Sequence, residues 1–167
     1  MKENIYNRHY EKSVLVSAGA EEIFNYADDH SNFSSHMEKS SWMMAGGKMK
    51  AVVDGGKGRK LGSHIRIGGK ILGINLSLDE VITVYRPPEM KVWATVGEPK
   101  LIVIGSYELG FEISPEDGSS KLKVFINYDL PQSPNTRWLG YLLGGTYAKW
   151  CVSQMTAGVS NYFARKT

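Results

Sequence analysis

Chemistry in this chain has to start from a few groups. There are four histidines, His9, His30, His36 and His64, a residue type whose unperturbed pKa lies near neutrality, and Asp79, Glu80 and Glu108 are carboxyls on segments that read as strands. His36 has no serine, cysteine or paired acid at a spacing that would make it the base of an activated nucleophile. The histidines fit no zinc spacing, with neither HExxH nor a cysteine pair to join them, so no metal and no cofactor is expected. The run Gly55-Gly56-Lys57-Gly58-Arg59-Lys60-Leu61-Gly62 looks like a phosphate loop but lacks GxxxxGK[ST] and leads into a strand rather than a helix. It reads as a basic hairpin, with contact to an anionic head group as the alternative.

Binding groups are more numerous. Tyr107 and Tyr128 project from the apolar faces of strands, where a phenol offers a flat hydrophobic surface and a hydroxyl that wants a partner once buried. They either orient the polar end of a ligand or are ordinary core tyrosines. Phe33, His36, Met37, Trp42, Met43 and Met44 form a cluster of thioethers and aromatics suited to a varied apolar partner, or to capping the core. Leu76 and Leu109 from strands, with Leu143 and Trp150 from the last helix, complete the candidate apolar wall, and plain core packing is the competing account for them.

The elements that must position these groups follow from periodicity. Residues 8 to 17 read as a strand, and 19 to 28 as a helix with Glu21 and Glu22 at its positive end and Ile23, Phe24 and Ala27 on one face. A second short helix is expected over 31 to 37. From about residue 47 the period becomes two, and turn signals at Asp54-Gly55-Gly56, Gly68-Gly69, Arg86-Pro87-Pro88, Gly97-Glu98-Pro99 and Pro115-Glu116-Asp117-Gly118 delimit six strands: 47 to 54, 61 to 68, 70 to 86, 90 to 97, 101 to 114 and 120 to 130. Their short connections require antiparallel pairing. Leu101, Val103, Tyr107, Leu109, Phe111 and Ile113 share one face, with Ser106, Glu108 and Glu112 on the other. Leu122, Val124, Ile126 and Tyr128 alternate with polar residues, Phe125 excepted. Leu72, Ile74, Leu76 and Leu78 run in phase until Glu80 interrupts them, which suggests a bulge.

Pro131 stops the last strand, and Ser133-Pro134 opens a helix to about Ala164, with serine as N-cap. Residues 131 to 167 contain no Asp or Glu, so this helix is expected to be largely covered. Gly140, Gly144 and Ala148 recur at four-residue spacing beside Trp138, Leu139, Tyr141, Leu142 and Leu143, an array that lets another backbone approach closely. That backbone is the sheet of the same chain, a second copy in a homodimer, or a membrane surface met by an apolar patch.

Composition sets the outer limits. The 167 residues, 42% hydrophobic, suit one domain spanning 1 to 167, and no repeat or linker divides them. A net charge of +3 from 20 basic and 17 acidic residues is too small and too dispersed for a nucleic-acid footprint. The single cysteine, Cys151, rules out an intramolecular disulfide and suggests a buried thiol in a reducing cytoplasm. The opening MKENIYNRHYEKS has no apolar signal core, and no run approaches the ~20 apolar residues of a membrane span.

The order strand, two short helices, six strands and long helix resembles the START-like (SRPBCC) helix-grip superfamily, which includes polyketide cyclase/dehydrase and lipid-carrier proteins. The residues that carry the resemblance are Val14-Leu15-Val16-Ser17-Ala18 running into Ala20-Glu21-Glu22-Ile23-Phe24, Gly62-Ser63, Glu80-Val81 followed by Pro87-Pro88, Trp93, and Gly105-Ser106-Tyr107. The resemblance implies an α+β fold in which a seven-stranded curved antiparallel sheet grips the last helix around a central cavity. It implies binding or transport of a hydrophobic small molecule such as a lipid, quinone or polyketide-like compound. Alternatives are a cyclase or aromatase that folds its substrate and moves protons, with Asp79, Glu80, Glu108 and His36 as acid–base candidates, or a partner- or membrane-docking module. Strand parity puts Glu108 outside.

Overall fold

Period-two alternation from residue 48 onward folds as one sheet. The computed structural model describes residues 5–33, 48–71 and 73–166. Among them the strands are β1 (Arg8–Val16), β2 (Lys48–Val53), β3 (His64–Ile71), β4 (Ile74–Arg86), β5 (Met90–Lys100), β6 (Tyr107–Glu116) and β7 (Ser119–Tyr128). They pair antiparallel in the order β1-β7-β6-β5-β4-β3-β2, so β2 to β7 form a meander and β1 returns to pair with β7. Helices α1 (Ala20–Asp28) and α2 (His30–Phe33) follow β1, and α3 (Pro134–Ala164) follows β7 and packs on β1 and β7. The expected α+β arrangement, a curved seven-stranded antiparallel sheet holding a long helix, is the arrangement found.

The core lies between the inner sheet face and the helices. Phe24 of α1 is packed edge-on against Tyr85 and Phe111, at centroid distances of 5.9 and 5.5 Å, and Ile23 is wholly buried. Gly19 starts α1 from an extended conformation, with the Glu22 carboxylate accepting its N–H at 3.2 Å. Phe125, the apparent exception in β7, sits opposite Gly110 of β6: a Cβ on that glycine would lie 2.8 Å from its ring. The missing side chain makes room for an aromatic on the outer face.

Four sequence expectations need correction. β3 runs through Gly68 and Gly69, and the chain reverses at Gly73, whose φ of +82° suits glycine. β5 runs through Gly97-Glu98-Pro99 to Lys100, because Lys100 still pairs with Ser77. The chain therefore reverses over 101–106, which takes Leu101 and Val103 out of β6. Ser133 is extended at the start of α3, but its side chain makes no cap hydrogen bond. Lastly, α3 is only partly covered. Gly140 and Gly144 face the chain's own 103–104 and 130–131 segments and Ala148 is wholly buried, while Trp138, Tyr141 and Leu142 are 57%, 59% and 68% exposed.

The small-residue stripe sets how closely α3 approaches the sheet. A Cβ on Gly140 would lie 2.5 Å from Pro131 Cδ, and one on Gly144 would lie 2.9 Å from the Val103 carbonyl. Gly140→Ala is therefore expected to lose about 1–3 kcal/mol through overpacking, more than offsetting the helix-propensity gain of about 1 kcal/mol. Gly158, in the same helix, would meet nothing within 4 Å. Gly158→Ala is expected to stabilise by up to about 1 kcal/mol. Urea unfolding of both variants checks the pair, and a stabilised Gly140→Ala would refute the close approach.

Candidate functional site

β4 places an acid among core residues. Leu76, Leu78, Glu80 and Ile82 all point inward, and Glu80 is 1% exposed. Glu80 stays in phase with the leucines instead of breaking their pattern, while the β4–β5 register slips on both sides of it, at Ser77/Asp79 and Ile82/Val84. Register carries the row across the sheet. Ile65 pairs with Glu80, Glu80 with Thr95, Tyr107 with Tyr128, and Tyr128 with Arg8. Thr95 links the two halves: its Oγ1 accepts the Tyr107 N–H at 3.1 Å. A line of polar side chains thus crosses an otherwise apolar inner face.

The Tyr107 hydroxyl donates a short hydrogen bond to Glu80 Oε1. Glu80 Oε2 accepts no hydrogen bond from any described residue, although the Trp93 side chain nearby favours the anion. Burial pushes the Glu80 carboxyl up to about 7, and neighbouring Asp79 adds slightly. The Tyr107 hydrogen bond, the nearby Trp93 side chain and the Lys91 charge act against the rise. The Tyr107 phenol is raised well above its ordinary range by burial and then by the Glu80 charge.

α3 supplies the groups that face this row. Tyr147 and Cys151 lie close enough to Tyr107 to affect its ionisation, and the Tyr147 hydroxyl is hydrogen-bonded to the Cys151 thiol. Burial drives that thiol to about 12, so it is a neutral, unreactive group. Trp150 is partly buried, with its ring 5.8 Å from that of Tyr147. Tyr128 lies under the glycines of α3, with its hydroxyl 3.7 Å from where a Cβ on Gly145 would sit.

The candidate residues from the sequence divide accordingly. Tyr107, Tyr128, Leu76 and Leu109 are buried on the inner face, and Tyr107 and Tyr128 are direct cross-strand neighbours. Leu143 is 47% exposed. His36, Met37, Trp42 and Met43 lie outside the described residues. Asp79 faces outward, with its Oδ1 2.9 Å from His64 Nδ1. Glu108 is outside as parity requires, accepting from Asn127 Nδ2 at 3.2 Å.

A second buried charge went unnoticed in the sequence. Lys91 shares its inward phase with Trp93 and Thr95, and its Nζ donates to the Asp28 carbonyl at 2.9 Å and to Asp28 Oδ1 at 2.7 Å. The Tyr85 hydroxyl donates to Asp28 Oδ2 at 3.0 Å, and Arg59 stands 3.7 Å from the same oxygen. Burial lowers the Lys91 ammonium and Asp28 pulls it back up. Each of these charged atoms has a partner, so the pair joins the end of α1 to β5 and offers little to a ligand. His30 beside Trp93 is lowered to about 4 by burial and then by the Lys91 charge, so it is neutral at physiological pH.

No protein-family model matches the sequence, and no curated protein matches it. Solved structures do. The chain is similar to TTHA0849 from Thermus thermophilus, with a TM-score of 0.67 and 12% identity over 96% of this chain and 99% of that one. It is similar to truncated norcoclaurine synthase from Thalictrum flavum, with a TM-score of 0.64 and 13% identity over 93% of this chain and 92% of that one. Major latex-like protein 151 from Panax ginseng matches with a TM-score of 0.61 and 9% identity over 93% of this chain and 97% of that one. These likenesses establish the START-like helix-grip fold.

Burying Glu80 has a measurable consequence. Its carboxyl holds a proton more tightly folded, at about 7, than at its ordinary 4.5. The unfolded chain therefore releases that proton first, and stability falls as pH rises from about 4.5 to about 7, by about 3 kcal/mol in total. Glu80→Gln keeps an acceptor for Tyr107 and cannot ionise. It is expected to match the wild type near pH 4.5 and to exceed it by up to about 3 kcal/mol at pH 8, measured by urea unfolding. Parallel pH profiles for the two proteins would show that Glu80 is hydrated.

Proposed function

We propose that the protein binds or transports a hydrophobic small molecule held between the inner sheet face and α3, with a lipid-, quinone- or polyketide-like body. The observation that carries this reading is Glu80 Oε2, a buried carboxyl oxygen unpartnered among the described residues, on an inner face that also carries the buried Leu76, Leu78, Ile82 and Leu109. Leaving such an atom unpaired costs about 1–3 kcal/mol, and a bound molecule would remove that cost. A pocket that is mostly apolar with a few convergent polar groups is the usual form of a small-molecule site. The fold shared with the solved structures supports an interior site of this kind, and the lone, buried Cys151 agrees with a reducing cytoplasmic setting. No helix among the described residues is long and apolar enough to cross a membrane.

A cyclase-type enzyme is the second reading, favoured by a carboxyl that changes charge near neutrality, as a general acid or base must. Native mass spectrometry of protein purified from its own host, followed by organic extraction, tests binding. One apolar molecule per chain is expected. Protein that is empty, takes up no Nile red, and shows no thermal shift with lipids, quinones or aromatic polyketides would refute the reading.

A further inference from the structure

Glu80 and Tyr107 have a geometry more specific than a generic polar spot. Oε1 is committed to the Tyr107 hydroxyl, and Tyr107 is fixed by its backbone bond to Thr95 and by pairing with Tyr128. The carboxyl is thus held with one oxygen satisfied and Oε2 without a hydrogen-bond partner among the described residues, and Glu80 is 1% exposed. The nearest buried cation, Lys91, is held by Asp28. The phenol and thiol partners Tyr147 and Cys151 bond each other. The Trp93 side chain favours the anion from nearby, yet no described residue donates a hydrogen bond to Oε2.

The geometry points to Glu80 Oε2 as the recognition point for a hydroxyl group at the end of the apolar ligand, so that the site selects alcohols over otherwise identical ethers. This rests on the ligand-binding reading and specifies the class of ligand. A neutral hydroxyl supplies the donor without bringing a second charge into the interior, where each ion costs several kcal/mol to desolvate. An ammonium group would have to meet that cost, and an ether has no proton to give.

Among the described residues, the titratable groups around Glu80 are Asp79 beside it on β4, Lys91 on β5, Tyr107 on β6, and Tyr147 and Cys151 on α3. Both phenols and the thiol are shifted up, Lys91 is paired with Asp28, and Glu80 is raised to about 7, so its charge changes near neutrality. Of alcohol and ether, only the alcohol has a proton to donate to the carboxylate. Protonated Glu80 can donate to an alcohol and an ether alike, so the preference should fade as pH falls.

The test compares naphthalen-2-ylmethanol, its methyl ether and naphthalen-2-ylmethylamine for displacement of Nile red. With the wild type at pH 8, the alcohol is expected to bind about tenfold more tightly than the ether, as a hydrogen bond to a charged group implies. At pH 5.5 the two should converge. In Glu80→Gln, which presents an amide donor or a weaker acceptor, the preference should fall to within about twofold at both pH values, and Tyr107→Phe should weaken it without abolishing Nile red binding. Equal binding of alcohol and ether at pH 8, a preference retained in Glu80→Gln, or tighter binding of the amine would overturn the inference while leaving ligand binding intact. Nile red uptake with no displacement by any naphthyl probe would overturn it too. Failure of Nile red itself to bind would remove the ligand-binding reading beneath it.

Discussion

Burying a carboxyl group among apolar side chains is the constraint around which the inner face is arranged. Desolvation opposes the charge of Glu80, and the Tyr107 hydrogen bond with the nearby Trp93 side chain recovers only part of it, leaving the group balanced between its two forms near pH 7. The Asp28–Lys91 pair shows the other solution available to this fold. There an ammonium, a phenol and a backbone carbonyl satisfy the buried charges, and the cluster serves to tie α1 to β5. A chain that can complete one buried charge so thoroughly, yet leaves Glu80 Oε2 without a partner among the described residues, bears the stability cost of a buried, unpaired acceptor.

The position of α3 follows from the same face. Gly140 and Gly144 let the helix settle against the 103–104 and 130–131 segments, and this close approach brings Tyr147 and Cys151 near the Glu80–Tyr107 pair. A larger residue at Gly144 would meet the Val103 carbonyl and lift the helix away from Tyr128. The glycines therefore act on the site through distance rather than through chemistry. Their helix-propensity cost is offset by packing contacts that a Cβ would forbid.

Much of the fold was legible because alternation and turn chemistry are local. Tyr107, Leu109, Phe111 and Ile113 could be assigned to one face by counting, and Tyr107 and Tyr128 could be placed side by side. The turns at Gly68-Gly69 and Gly97-Glu98-Pro99 were misread because glycine and proline mark irregular strands as readily as reversals, and pairing to a neighbour decides which. The coverage of α3 was overread for a related reason: an acid-free helix needs a partner on one side only, and Trp138, Tyr141 and Leu142 lie on the other. Glu80 was visible as an acid in an apolar strand, but its importance was not, because a polar residue among leucines reads as a break in phase. Counting by two through Leu76, Leu78, Glu80 and Ile82 would have kept it inside. Lys91 offered the same signal, two residues before Trp93.

That difference in legibility mirrors a division of labour in the molecule. Solved structures with 9–13% identity share the backbone arrangement, so the helix grip tolerates nearly any sequence that keeps the alternation, the turns and a close-packing last helix. Such tolerance cannot extend to a row like Ile65–Glu80–Thr95–Tyr107–Tyr128–Arg8, where exchanging one polar atom for a methyl alters charge, donor count and the protonation of its neighbours together. The pattern of apolar residues thus determines that there is an interior. The few polar residues that interrupt it determine the electrostatics of that interior, and in this chain Tyr107 and Trp93 both bear on the Glu80 carboxyl.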